Sequence, residues 1–248
     1  MISTLPAPCN FDEITVDSTA VMASPPPPLP AYKTALIATC LEHSILKFGT
    51  FTLKSGRTSP YFFQAGAFNT AALLATLSAA YASTIARAPE PIDFDVVFGP
   101  AYKGIPIAAT TATALFSLAP EKYADIGYAF NRKEAKDHGE GGTIVGAPMR
   151  GKRVLVVDDV ITAGTAIREA VAIIEAAGGS VVGIVVALDR QERLVDDVAA
   201  ESAIMAVRRE LKVPVVAILT LADLIHGVQE GAERQRMVEY RERWGAKE

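Results

Sequence analysis

The chain has 248 residues, 50% of them hydrophobic and 21% charged, with a formal net charge of −4. That length and apolar share suit one large core better than two small ones, and the acidic balance excludes a global attraction to nucleic acid, whose phosphates are bound by basic surfaces. Cys9 and Cys40 provide neither a disulfide framework nor a zinc spacing, so metal held by cysteine is not expected and a reducing, cytoplasmic setting is.

Residues 1–30 lack periodicity, carry no Lys or Arg, and end in Pro25, Pro26, Pro27, Pro28, Leu29 and Pro30. Such a run favours extended polyproline, so a disordered tail and spacer is expected, without the basic start of a signal peptide, ahead of one domain over 31–248. From Tyr32 the residues Leu36, Ile37, Cys40, Leu41, Ile45 and Phe48 recur at helical spacing until Gly49, predicting a first helix with His43 inside it. Residues 51–63 read on composition as a hairpin with core aromatics. The uncharged stretches 70–86 and 104–120 are too rich in Ala, Thr and Ser for a bilayer span and predict buried helices. Strands are predicted at 94–98, 126–130, 154–157, 181–188 and 215–219, and helices at 105–118, 163–177 and 202–211. The charge-rich end, 232–248, predicts a solvated surface helix. Apolar strands separated by helices make an α/β fold with a parallel sheet covered on both faces, where ligands gather at the carboxyl ends of strands.

One such end is the most informative segment. The apolar run 154–157 leads into Asp158 and Asp159, then Val160, Ile161, Thr162, Ala163, Gly164, Thr165 and Ala166. A Thr/Gly loop opening a helix gathers backbone N–H groups, hydroxyls and the positive end of the helix dipole around one point, which suits a phosphate monoester. The adjacent carboxylates can accept hydrogen bonds from sugar hydroxyls. A plain acidic strand end would look similar, as would the acidic strand of a nucleotide hydrolase. The hydrolase also needs a P-loop, and the one near match, from Gly146 to Lys152, is followed by Arg153 where Ser or Thr should stand, and by a strand. The whole segment resembles the motif with which type I phosphoribosyltransferases bind phosphoribosyl pyrophosphate (PRPP). That resemblance implies their fold: a central parallel sheet flanked by helices, with a small N-terminal hood.

The acceptor base is addressed by a second string. Phe51, Thr52, Leu53, Lys54, Ser55, Gly56 and Arg57 run on to Pro60, Tyr61, Phe62 and Phe63, a lysine at a turn followed by paired aromatics. A cation and a flat surface suit an acidic ring. The string resembles the signature of orotate phosphoribosyltransferases, and the likeness extends over about 32–248. It implies that Lys54, Phe62 and Phe63 serve the orotate and PRPP sites, with Thr162 also reaching orotate. Tyr102 and Lys103, in the turn after strand 94–98, would face pyrophosphate. Residues 131–142 would form a flexible lid carrying Arg132, Lys133, Lys136 and His138, and Arg190 would grip the orotate carboxylate with its planar fork. Asp158 and Asp159 would hold the ribose hydroxyls and residues 160–166 the 5-phosphate. The catalytic group would be Lys103, Lys136, His138, Asp158 and Asp159.

The same resemblance implies magnesium held mainly by substrate and water, a homodimer whose subunits share lids, and neither nucleic acid nor membrane as partner. The expected reaction joins PRPP and orotate into orotidine 5′-monophosphate and pyrophosphate, in pyrimidine biosynthesis. The single-activity form is expected, with no fused decarboxylase after the last helix. A purine salvage enzyme would share 154–166 but would need neither the 54–63 string nor Arg190. A PRPP-sensing regulator would need an added nucleic-acid-binding element. His43 and His226 have no metal-spaced neighbour and read as structural or surface residues.

Overall fold

The computed structural model describes residues 28–136, 142–195, 197 and 200–246, without the side chains of residues 135, 136 and 142. The expected tail therefore lies outside the described residues except for 28–30, and so does His138. Helix α1 (Ala31–Glu42) ends with His43 as its C-cap, and Ser44, at a left-handed φ of 53°, turns the chain into strand β1 (Leu46–Thr52). The first helix is thus shorter than predicted, and His43 lies at its end instead of inside it. The apolar spacing ran on because Ile45 and Leu46 stay buried in the core that α1 enters with Leu36, Ile37 and Cys40. Strand β2 (Thr58–Phe63) pairs antiparallel with β1 to form a two-stranded hood.

Helix α2 (Ala71–Ala86) starts at Thr70, whose hydroxyl accepts the Leu73 N–H. Then come β3 (Val96–Gly99), α3 (Gly104–Leu118), α4 (Pro120–Tyr123), β4 (Gly127–Lys136), β5 (Gly142–Gly146) and β6 (Arg153–Val160). The chain closes with α5 (Thr165–Ala176), β7 (Ser180–Asp189), α6 (Ala203–Leu211), β8 (Val215–Thr220), α7 (Leu221–Gly227) and α8 (Ala232–Trp244). The second sheet has the order β5-β4-β3-β6-β7-β8, parallel except for β5. A central parallel sheet was expected, and apart from this edge strand it is one. The antiparallel edge arises because residues 131–136, read as loop, continue β4 and return through β5, whose apolar run is only Ile144 and Val145.

Side chains of a strand alternate between faces, and the central strands use both. Leu155 and Val157 of β6 join the larger core, which holds α1, α2, α3, α7, α8 and the hood residues Leu46, Tyr61 and Phe63. Val154 and Val156 join a smaller core with Ile167 and Ile174 of α5 and Ile204 and Val207 of α6. Each such side chain stabilises the fold by about 1.5–3 kcal/mol when fully buried. The uncharged helix α3 is buried along one face only: Phe116 is 50% and Leu118 47% exposed. Helix α8, expected to lie solvated, instead anchors Met237 and Tyr240 in the larger core. No helix among the described residues is long and apolar enough to cross a membrane.

Candidate active site

The chain leaves β3 toward β4 on one side and leaves β6 toward β7 on the other, so the sheet reverses its winding between β3 and β6. In an open sheet of this kind the carboxyl ends on either side of such a reversal frame a crevice. After β3 the backbone passes through residues 100–103 into α3, and Gly99 and Gly104 sit so close that a Cβ on Gly99 would lie 1.9 Å from Gly104 O. Only glycine allows that approach, and it sets the turn carrying Tyr102, 72% exposed, and Lys103 beside the end of β6. The Ala101–Tyr102 peptide is cis, and the Ala101 N–H donates to Asn131 Oδ1 at 2.9 Å, tying the turn to β4.

Across the crevice Lys103 Nζ meets Asp159 Oδ2 at 2.5 Å. Lys103 is mostly exposed, so the pair stabilises by no more than about 1 kcal/mol and yields readily to a ligand. Asp158 is buried. Burial first, then the charge of Asp159, pushes its carboxyl up to about 6, although the Asp159 N–H donates to its Oδ1 at 2.9 Å. Tyr81 fixes the strand end from below, its hydroxyl donating to Asp158 O at 2.7 Å.

Beyond β6, Ile161 is buried while Thr162, Ala163, Thr165 and Ala166 are exposed, so the loop offers its hydroxyls and backbone outward. Gly164 has φ 78°, and a Cβ there would lie 2.9 Å from both Arg168 Nη1 and Val207 Cγ2. Arg168, paired with Glu210 at 2.8 Å, donates through Nη1 to Ala163 O at 2.8 Å and braces the loop from α5. The first turn of α5 has no acidic residue and no side-chain cap, which leaves its N–H donors for an anion.

At the end of β7, Arg190 donates through Nε to Glu192 Oε1 at 2.6 Å and through Nη2 to Ser59 Oγ at 2.9 Å, and lies over the Tyr61 ring at 4.3 Å. Both ion-pair partners are nearly buried. Removing one partner of such a pair typically costs about 3–5 kcal/mol, so the guanidinium is held before any ligand arrives. A second link joins hood and sheet: Arg57 Nη1 donates to Arg193 O at 2.5 Å, and the Arg57 guanidinium stacks 4.7 Å from the Trp244 ring.

The structure thus brings Lys103, Asp158, Asp159 and residues 160–166 to one crevice, with Arg190 at the next strand end and β2 above it. Phe62 and Phe63 point to opposite faces of β2. Phe62 is exposed beside Phe51, whereas Phe63 is buried against Phe68. Lys54 stands exposed in the β1–β2 turn, and neither it nor Arg132 or Lys133 forms an ion pair among the described residues. Lys136 ends β4, with its side chain outside the description. Ser59, Tyr61, Glu192, Tyr240 and Trp244 were not singled out from the sequence. The spacing of Met237, Tyr240 and Trp244 on one helix face was the available signal. A cleft of about 410 Å³ runs along β8 and α6, lined by Asp189, Gln191, Ser202, Met205, Arg208 and Val216 among others, and the Gly164 loop takes no part in it.

The sequence profile of the phosphoribosyl transferase domain family matches residues 65–217. The chain is 52% identical over 221 residues to the orotate phosphoribosyltransferase of Yarrowia lipolytica, spanning 88% of this chain and 99% of that protein. It is similar to the crystal structure of orotate phosphoribosyltransferase from Francisella tularensis, with a TM-score of 0.73 and 39% identity over 86% of this chain and 100% of that one. It also resembles the Mycobacterium tuberculosis orotate phosphoribosyltransferase solved in complex with PRPP, with a TM-score of 0.56 and 27% identity over 78% of this chain and 98% of that one.

Proposed function

Because the chain belongs to the orotate phosphoribosyltransferases of the phosphoribosyl transferase domain family, we propose that its crevice at the carboxyl ends of β3, β6 and β7 holds both substrates of that reaction. The protein is a pentosyltransferase of pyrimidine biosynthesis: it binds PRPP and transfers the ribose 5-phosphate to N1 of orotate, giving orotidine 5′-monophosphate and pyrophosphate. The observation that carries the assignment of the site is the buried strand end Asp158–Asp159 running into the Gly164 loop, with Arg190 held at the end of the next strand.

In our reading Asp158 and Asp159 accept the ribose hydroxyls, Asp159 exchanging Lys103 for the sugar, while Val160, Ile161, Thr162, Ala163, Gly164, Thr165 and Ala166 wrap the 5-phosphate. The bond from the anomeric carbon to pyrophosphate breaks with its electron pair leaving on the pyrophosphate oxygen, and N1 of orotate bonds to that carbon from the opposite face. Lys103, with Tyr102 beside it, and the lid cations Arg132, Lys133, Lys136 and His138 balance charge on the departing group. The two aspartates oppose the positive charge that develops on the sugar. Lys54 and the exposed ring of Phe62 face the substrates from the hood, Phe63 contributes through its backbone, and Thr162 also reaches orotate.

Among the described residues no three metal-ligating side chains converge, and the oxygens available to magnesium at this strand end are those of Asp158 and Asp159. That donor set fits a hard cation which keeps its waters and binds chiefly to substrate oxygens. When bound, magnesium supplies charge neutralisation of the pyrophosphate. We further propose a cytoplasmic homodimer with shared lids. Free Cys40 suits a reducing compartment, and the exposed apolar face of α3 at Phe116 and Leu118 suits a subunit contact. Mixing two differently inactivated variants and regaining activity would support shared lids; no regain would count against them.

The test of the base assignment is ultraviolet-monitored turnover of orotate with PRPP and magnesium, beside adenine, hypoxanthine and uracil. Turnover confined to orotate supports it, and turnover of another base overturns the roles given to Lys54, Phe62 and Arg190. Lys136→Ala should lower kcat chiefly, because lid contacts strengthen as charge develops, by about 100-fold or more if it acts like other groups that stabilise a developing anion.

A further inference from the structure

Arg190 leaves β7 as a cation only 12% exposed, and three neighbours distant in sequence or facing it across a turn decide where its fork points. Glu192 takes Nε, Ser59 takes Nη2, and the Tyr61 ring covers one face, itself backed edge-on by Tyr240 of α8 at 6.2 Å. The Tyr240 hydroxyl also lies against Arg190 and Glu192, and Nη1 is the nitrogen that the Glu192 and Ser59 bonds leave unengaged. Glu192 is in turn unable to wander. Gln191 precedes it at a left-handed φ of 52°, with its N–H donating to Asp189 Oδ1, its Oε1 accepting the Ala222 N–H and its carbonyl accepting the Ala246 N–H, all within 2.9 Å. Glu192 also bridges Gly245 after α8 and is only 13% exposed. Ser59 is fully buried, its hydroxyl donating to Tyr61 O at 2.7 Å while accepting from Arg190.

An unclamped guanidinium near a phosphate-rich substrate would pair with any anion it could reach. A guanidinium fixed on two nitrogens and partly neutralised attracts only an anion that arrives along the remaining direction. We propose that Glu192 and Ser59 are positioning residues that determine base specificity: they hold Arg190 so that its Nη1 end alone meets the carboxylate of an acidic planar ring, and keep the cation from pairing with the phosphates of PRPP. This rests on the role given to Arg190 above.

The experiment compares steady-state kinetics and thermal midpoints of Glu192→Ala, Glu192→Gln, Ser59→Ala, Arg190→Ala and the double variant Arg190→Ala/Glu192→Ala. Glu192→Ala and Ser59→Ala should each raise KM for orotate by about tenfold to a hundredfold, the size of one lost hydrogen bond to a charged group, while KM for PRPP and kcat move less than about twofold. Glu192→Gln, which keeps an oxygen for Nε, should restore most of the affinity. Adding Glu192→Ala to Arg190→Ala should cost nothing further in orotate KM, since a positioning residue has nothing left to position. If Arg190→Ala raises the orotate KM but the Glu192 and Ser59 variants do not, positioning is overturned while the role of Arg190 stands. If Arg190→Ala leaves the orotate KM unchanged, the role of Arg190 fails and the proposal falls with it. Equal rises in both substrates' KM, or full additivity in the double variant, would show a general structural effect and overturn it as well.

Discussion

Asp158 carries a charge where the fold makes charge expensive. Its carboxyl is raised from an ordinary aspartate value to about 6, first by burial and then by Asp159. The folded state therefore binds a proton that the unfolded chain has already released between about pH 4 and 6, and stability falls as pH rises through that window. Asp158→Asn should raise the thermal midpoint at pH 7.5, by about 2–4 °C for each kcal/mol gained, and the gain should vanish below about pH 4. Activity should be lost in the same variant, and in the wild type kcat/KM for PRPP should fall as pH drops below about 6. A midpoint unchanged by Asp158→Asn at pH 7.5 would show that the carboxylate is not strained there. Both aspartates were legible in the sequence because a local pattern carries them: an apolar run, two acids, a Thr/Gly loop. Ser59 and Glu192 were not. Each is an ordinary polar residue until the chain folds, and Ser59 meets Arg190 across 131 positions of sequence.

Two elements owe their ends to single backbone positions. A methyl on Gly99 would strike Gly104 O at 1.9 Å and its carbonyl carbon at 2.3 Å, backbone atoms with no rotamer to escape by. Gly99→Ala should cost about 3 kcal/mol or more, read from the denaturant midpoint, and should displace Lys103 from Asp159. A cost below about 1 kcal/mol would mean that the turn adjusts freely. Ser44 offers the opposite case, a non-glycine residue at φ 53° where α1 gives way to β1. Ser44→Gly should stabilise by about 1 kcal/mol in thermal melts and leave the kinetics alone, because it relieves backbone strain far from the crevice. The long apolar strands β6, β7 and β8 and helices α3, α5 and α6 were readable because burial on both faces or a clear helical stripe marks them. Strand β1 was hidden inside an apolar spacing that suited a helix equally well. Helix α7 is short, and it rests on the capping box of Thr220 and Asp223, with Lys33 of α1 bound to Asp223 at 2.8 Å.

The whole molecule divides its labour between its two cores. The Gly164 loop and α5 rest on the smaller one, whereas the hood, Tyr61 and α8 rest on the larger. The strand order that creates this division was not legible, since nothing local in Val96 says that it pairs with Val154 as well as Gly127. Nor could charge composition reveal that α8 closes behind Tyr61 and Arg190. Its last residue, Trp244, is the chain's sole tryptophan, and the guanidiniums of Arg57, Arg193 and Arg243 lie 4.7, 5.9 and 4.9 Å from its ring. Arg57 belongs to the same hood hairpin as Lys54, so the indole sits where a shift of the hood must alter its surroundings. The protein therefore carries its own optical probe: the wavelength of the indole emission maximum, which light absorption by free orotate does not mimic as it does intensity, should shift on titration with orotate and stay put with adenine. A flat response would place the hood already in its bound position, and a response lost in Arg57→Ala would trace the signal to that stack.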